Sequence, residues 1–172
     1  MNVGDVEMTA LNQPSLGIDV YDFRAVMRRH AATVTVVTAP GNPPVGFTAT
    51  SFTSVSLHPQ LVSFCLDSAS SSWPTLRNAE HVAIHILASG QQAVASTFAT
   101  SHIDRFTAHG RWRPGPYGLP VLEGTLAVLI CAVVEHVTAG DHVIVLSRPV
   151  SADHHEGEPL LYCMGSYTTV AR

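Results

Sequence analysis

The chain has 172 residues, a length that predicts one domain, and a hydrophobic fraction of 46% excludes disorder for the bulk of it. Charged residues make up 13%, against about 25% in an ordinary soluble domain, and they leave a formal charge of −4. All nine basic residues are arginine. That argues against a nucleic-acid surface, which needs a clustered basic stripe. It also excludes a Schiff base, a P-loop lysine and a lysine general base.

In chain order, residues 1–17 are polar and aperiodic and predict a flexible arm, with a single domain over 18–172. Asp19 is a candidate N-cap for a short helix to about His30, with Phe23, Val26 and Met27 on one face. Strands are expected over Thr33–Ala39, Val45–Ser56, Leu61–Asp67 and His81–Ala88, the first two separated by the turn Pro40–Pro44. A serine loop after Asp67 leads into a short helix at Pro74, a residue suited to a first helical turn. Gly90–Thr100 has helical spacing, with Val94, Thr97 and Phe98 on one side. Residues 101–120 read as loop, and three further strands are expected over Thr125–Val137, His142–Ala152 and Pro159–Thr168. Helices that do not alternate with strands disfavour a doubly wound parallel sheet. The pattern predicts a mostly β fold: an antiparallel sheet curled into a barrel, with short helices at its ends.

Cys65, Cys131 and Cys163 are odd in number and lack CxxC spacing, which disfavours a disulfide framework or a zinc ribbon and fits buried, reduced thiols in the cytoplasm. No run approaches the about 18 apolar residues of a membrane span, and MNVGDVEM has neither the basic nor the apolar region of a signal peptide. The low charge predicts that part of the surface is covered by a second copy; a surface of Ser, Thr, His and Gln is the alternative.

The hydroxyl-rich segments carry most of the chemical content. Thr48-Ala49-Thr50-Ser51 lies within an apolar strand, and Ser68, Ser70, Ser71 and Ser72 join a strand end to a helix start. Hydroxyls and free amides at such a junction hold phosphate without lysine, although on the residues alone ordinary loop and edge-strand polarity is the favoured explanation. Arg105 is placed to neutralise a phosphate or to cap the helix ending near Thr100. Gly140-Asp141-His142 puts an imidazole at a sheet end. No GxGxxG, GxSxG or HExxH occurs, and the histidines, ten in all, lack metal-ligand spacing.

Taken in order, the segments FRAVMRRHAATVTVVTA, GFTATSFTSVSLHPQLVSFCLDSASSS, RNAEHVAIHIL, STFAT…DRF, GLPVLEGTLAVLICAV, AGDHVIVLSRPV and PLLYCMGSY resemble the flavin reductase-like family over about residues 20–168. The family includes the small reductase components of two-component flavin monooxygenases. The resemblance implies an antiparallel split β-barrel, usually a homodimer, that binds FMN or FAD. It implies reduction of the flavin by NADH or NADPH, and delivery of reduced flavin to a separate monooxygenase. By resemblance, Thr48, Ala49, Thr50 and Ser51 line the ring and ribityl chain, and Cys65, Leu66 and Asp67 lie beside the pyrimidine edge. Ser68 and Ser71 fall at phosphate-side positions, and Phe98, Ala99 and Arg105 near the flavin phosphates. His142, the candidate catalytic residue, and Tyr167 are expected near the nicotinamide. The family's glycine after GDH is Ser147 here, followed by Arg148; this is expected to narrow the nicotinamide space and to bear on the choice between NADH and NADPH. The cofactors carry the redox chemistry, so the protein need only hold donor and acceptor about 3–3.5 Å apart. Amides at Thr50–Ser51 and Asp67–Ser68 are expected to stabilise charge on the reduced ring. Two alternatives are a flavin-binding electron carrier without nicotinamide turnover and a barrel enzyme acting on a pyridoxal-type phosphate.

Overall fold

In the computed structural model, which describes residues 17–170, the expected strands resolve into a longer series. The elements are α1 (Val20–Met27), β1 (Ala32–Thr33), β2 (Thr35–Ala39), β3 (Val45–Ala49), β4 (Thr53–Leu57), β5 (Gln60–Asp67), α2 (Trp73–Leu76) and β6 (His81–Ile86). They continue with α3 (Gln92–Ala99), α4 (Arg105–His109), β7 (Trp112–Pro114), β8 (Pro120–Leu122), β9 (Ala127–Ala139), β10 (His142–His154), β11 (Leu161–Cys163) and β12 (Ser166–Thr168). The polar arm read over residues 1–17 lies, but for Gly17, outside the described residues.

Every strand pairing among the described residues is antiparallel. The main sheet has seven strands in the order β3-β2-β6-β9-β10-β5-β4. Its edge strands, β3 and β4, are consecutive in the chain and separated by residues 50–52 alone. Four Cα steps span at most about 15 Å, whereas the edges of a flat seven-stranded sheet would lie about 29 Å apart. The sheet must therefore curl until its edges approach, which gives the split-barrel shape.

β2 shows how the core is divided. All five of its residues are buried, although successive side chains point to opposite faces. Val37 faces the barrel interior with Phe47, Phe64, Ile84, Cys131 and Val145. Val36 faces the other way, into a cluster with Leu87, Phe98, Phe106 and Leu160 beneath α3 and α4. Of the three thiols only Cys131 is buried, and its apolar surroundings push its pKa up to about 12; Cys65 and Cys163 are half-buried.

Four expectations are corrected. The strand read as Pro159–Thr168 is the β11–β12 hairpin, turning at Met164-Gly165, both at positive φ. The strand read as Val45–Ser56 breaks at residues 50–52 to make the link between sheet edges. The strand read as Thr33–Ala39 divides at Val34, whose N–H donates to Leu160 O (2.9 Å) while its carbonyl accepts from Leu87 N (3.1 Å). The loop read over 101–120 contains α4, started by Asp104 accepting from Phe106 N and Thr107 N and stopped by Gly110 at φ +69°, followed by the β7–β8 hairpin. α1 is capped by Asp19 as expected, but Phe23, Val26 and Met27 are exposed and no residue of the helix is buried.

Candidate functional site

Five segments converge at one end of the curled sheet: the β3–β4 link, the end of β5, the serine loop, the α3–α4 connection and the β9–β10 turn. They enclose a cavity of about 590 Å³. Its construction begins at β5, where Val62, Phe64 and Leu66 point into the core, so that alternation turns Cys65 and Asp67 outward to the cavity. β10 pairs with β5 so that His142 lies opposite Asp67, and the tight turn at Gly140 (φ +62°) sets the imidazole on the rim.

On its other edge β5 lacks a strand partner beyond Ser63, because β4 begins at Thr53. Ser51 fills the gap. Its hydroxyl accepts from Cys65 N at 2.8 Å and donates to Cys65 O at 3.3 Å, doing with a side chain what a neighbouring strand does with its backbone. Thr48 Oγ1 donates to Ala95 O at 2.6 Å and anchors the same link to α3. The amides of Thr50 and Ser51 and the hydroxyl of Thr50 make no hydrogen bond to another described residue, and they stay available to a ligand.

The serine loop is ordered from within. Asp67 Oδ1 accepts from Ala69 N (2.7 Å), Asp67 O accepts from Ser70 N (2.9 Å), and Ser70 O accepts from Trp73 N (3.0 Å). Ser68 donates through both N and Oγ to Asp141 O (3.0 and 2.8 Å), so the loop is stapled to the β9–β10 turn. The Ser68 amide expected to face a reduced ring is thereby consumed. Ser71 keeps its amide and hydroxyl free of other described residues and lines the cavity.

Arg105 supplies the guanidinium. Its Nε donates to Thr100 O (2.8 Å) at the C-terminus of α3, and its Nη1 donates to Gly46 O (2.6 Å) and Ser72 Oγ (3.3 Å). It is thus both the helix cap and the cavity cation that the sequence offered as alternatives. Burial lowers its pKa, yet an arginine remains charged. Asp104, which caps α4 and so orients Arg105, has its carboxyl pKa lowered chiefly by the Thr107 amide, with the Thr107 hydroxyl at 2.7 Å adding to this. At the other end of the cavity, His142 Nδ1 lies 2.7 Å from Asp141 Oδ1, and that bond lowers the Asp141 pKa.

Eleven of the residues anticipated from sequence line this one cavity: Thr48, Ala49, Thr50, Ser51, Cys65, Leu66, Asp67, Ser71, Ala99, Arg105 and His142. Three do not. Ser68 faces the turn. Phe98 is fully buried, edge-on to Phe106 at 5.3 Å and behind Gly46, where a Cβ would come within 2.8 Å of the Phe98 ring. Tyr167 packs edge-on to Tyr162 at 5.3 Å and against the cluster beneath α3. Nor does the Ser147 side chain narrow the cavity: it is buried in the sheet with its hydroxyl unpartnered, while Arg148 is exposed away from the site. Ser70, one of the serines offered as a phosphate cradle, also lines the cavity, as do Phe47, Ala69, Ser101 and His102, which were not anticipated as site residues.

The donor set suits a flat, amphipathic, phosphorylated ligand. Phe47, Ala49, Leu66 and Ala99 give apolar walls, free amides and hydroxyls line the edges, and a cation sits beside Ser71. Residues 27–171 match the family model described as the flavin reductase like domain. The chain belongs to the flavin reductase-like family. It is 43% identical over 167 residues to the NADH:FMN oxidoreductase of Rhodococcus erythropolis, covering 94% of this chain and 87% of that one. It is 33% identical over 160 residues to HsaB, the reductase subunit of a flavin-dependent monooxygenase of Mycobacterium tuberculosis (strain ATCC 25618 / H37Rv), covering 91% and 85% of the two chains. Among solved structures, the Streptomyces globisporus C-1027 NADH:FAD oxidoreductase SgcE6, in complex with NAD and FAD fragments, superposes with a TM-score of 0.84. It is 34% identical, with 89% of this chain and 93% of that one covered.

Proposed function

We propose that this protein is an NAD(P)H:flavin oxidoreductase that reduces FMN or FAD for a partner monooxygenase. The observation that carries the reading is the meeting, in one cavity, of the unclaimed Thr50, Ser51 and Ser71 amides with Arg105 at one end and His142 at the other. When bound, flavin supplies the hydride acceptor and the nicotinamide supplies the hydride. The protein binds and orients. Thr50 and Ser51 N–H groups donate to the polar edge of the ring, where negative charge builds on reduction. Asp67 and Cys65 would border that edge, Ala49 would pack on the ring, and Ser71 with Arg105 would take the phosphate. His142, held by Asp141, positions the dinucleotide; it needs to move no proton.

NADH is the favoured donor, since the Rhodococcus and Streptomyces relatives are named for it. The exposed apolar face of α1 supports a homodimer, because a helix with Phe23, Val26 and Met27 in water gains by being covered. The half-buried thiols of Cys65 and Cys163 suit the reducing cytoplasm, and no described helix is long and apolar enough to cross a membrane.

The test is a steady-state matrix of FMN, FAD and riboflavin against NADH and NADPH, read at the nicotinamide absorbance band. We expect flavin-dependent oxidation, with riboflavin showing the highest KM because it lacks the phosphate. Tight flavin binding without nicotinamide oxidation would move the protein to the electron-carrier alternative.

A further inference from the structure

The end of the flavin cavity that holds Arg105 adjoins a smaller cavity of about 320 Å³. Ser71, His102 and Arg105 line both, so they stand where the two meet. Among the described residues the smaller cavity has one carboxylate, Asp104, and no basic side chain beyond the two it shares.

Arg105 is largely spent on the chain itself. Its Nε donates to Thr100 O, and its Nη1 donates to both Gly46 O and Ser72 Oγ. Nη2 alone is left for a ligand, so the arginine cannot offer a two-nitrogen fork. His102 is in the opposite condition. Its ring has no hydrogen bond, ion pair or ring contact with another described residue. It is exposed, and water serves it when no ligand is present. Its backbone nevertheless sits at φ +61°, a conformation that glycine adopts freely and that a side chain holds at a cost. The chain thus carries a strained imidazole at the junction of two cavities and gives it no internal contact to hold it there.

We propose that His102 makes this cavity selective for FMN over FAD. An imidazole carries an N–H donor in either protonation state, and here it takes one oxygen of the terminal phosphate, beside Ser71 and Arg105 Nη2. The phosphate of FMN presents three free oxygens, one for each of these groups. The flavin-side phosphate of FAD presents two, because its third oxygen leads on to the adenylate. That adenylate would have to pass the imidazole into the smaller cavity, where its own phosphate meets the like charge of Asp104. The inference rests on the flavin-reductase reading for its ligand.

Equilibrium binding of FMN, FAD and riboflavin, followed by flavin fluorescence without nicotinamide, tests it on wild type, His102→Gly and His102→Asn. Glycine suits the backbone and deletes the ring; asparagine tolerates the left-handed conformation and keeps an N–H donor. Wild-type protein should bind FMN more tightly than FAD. His102→Gly should weaken FMN about tenfold, leave riboflavin unchanged and remove the preference over FAD. Its denaturant midpoint should hold or rise, because the strain is gone. His102→Asn should recover part of the FMN affinity. A ratio of FMN to FAD affinity that His102→Gly leaves unchanged overturns the proposal, as does a wild-type preference for FAD. An equal loss for all three flavins with a lowered midpoint also overturns it, by reducing His102 to a loop-shaping residue. If wild-type protein oxidises no NADH with any flavin, the parent reading fails while the binding ratios still decide this inference. Wild-type protein that binds no flavin defeats both.

Discussion

Two hydroxyl- and histidine-bearing regions of the same sheet are put to opposite uses. Around β2 and β6, the buried polar side chains are matched internally. His85 is fully buried; its Nε2 accepts from Leu122 N (3.1 Å), which leaves the proton on Nδ1 to be donated to Val36 O (3.0 Å). Thr35 and Thr38 are also fully buried and donate to Ala49 O and Pro120 O at 2.9 and 2.7 Å. At the end of β5, Thr50 and Ser71 keep their donors free, and Arg105 and His142 face a cavity. Residue type does not separate the two regions. What separates them is burial: a buried donor left unmatched costs about 1–3 kcal/mol, so the chain supplies partners for Thr35, Thr38 and His85, whereas Thr50, Ser71 and His142 are exposed and can exchange water for a ligand.

The largest effect expected from this contrast falls on Phe98, which the structure places in the packing behind the site. Phe98→Ala should lower unfolding free energy by about 3–5 kcal/mol in denaturant titration. A variant of near-normal stability that binds FMN poorly would move Phe98 into the cavity wall.

The next expectation concerns His85. Burial, reinforced by the nearby charge of His109 when protonated, lowers its pKa from 6.5 to about 4, against a smaller opposing effect of the Val36 carbonyl. In the window from pH 6.5 to 4 the unfolded chain takes up a proton that the folded chain refuses. The stabilisation is therefore complete above the window and falls by about 3 kcal/mol across it. Stability measured against pH should lose this slope in His85→Phe, and a slope that survives the substitution would contradict the assignment.

On the cavity side, Arg105→Ala should raise the FMN KM about 10–100-fold while leaving that of riboflavin nearly unchanged. Equal losses for both flavins would reduce Arg105 to its helix-capping and Gly46 contacts. The smallest change is expected for His142→Ala, an increase of about three- to tenfold in the NADH KM with kcat retained. Abolished turnover at unchanged KM would make His142 a proton donor instead.

The sequence was most informative where a pattern has a local cause. Strand alternation placed β5 and β6 within two residues at each end, and the Asp19 cap of α1, the Arg105 link to Thr100 and the turn before His142 were each legible from neighbouring residues. The break at residues 50–52 was not. No glycine or proline marks it, and it arises because two sheet edges must meet; yet it is this break that frees the Thr50 and Ser51 amides. α4 carried a readable signal, Asp104 before it and Gly110 after it, masked by the Pro/Gly density of the segment. Phe98 and Tyr167 lay in the matching segments but turn into the core, a choice made by packing against Phe106 and Tyr162 rather than by spacing. His102 and Ser101 reach the cavity only through the tertiary path of their loop, which nothing local announces.

The most direct check on where the flavin sits is a crystal structure of the protein grown with FMN. We expect the ring between the Thr50–Ser51 link and the end of β5, with its phosphate within hydrogen-bonding distance of Ser71 and Arg105. Ordered FMN at another place, with these amides turned to solvent or to each other, would contradict the assignment of this cavity.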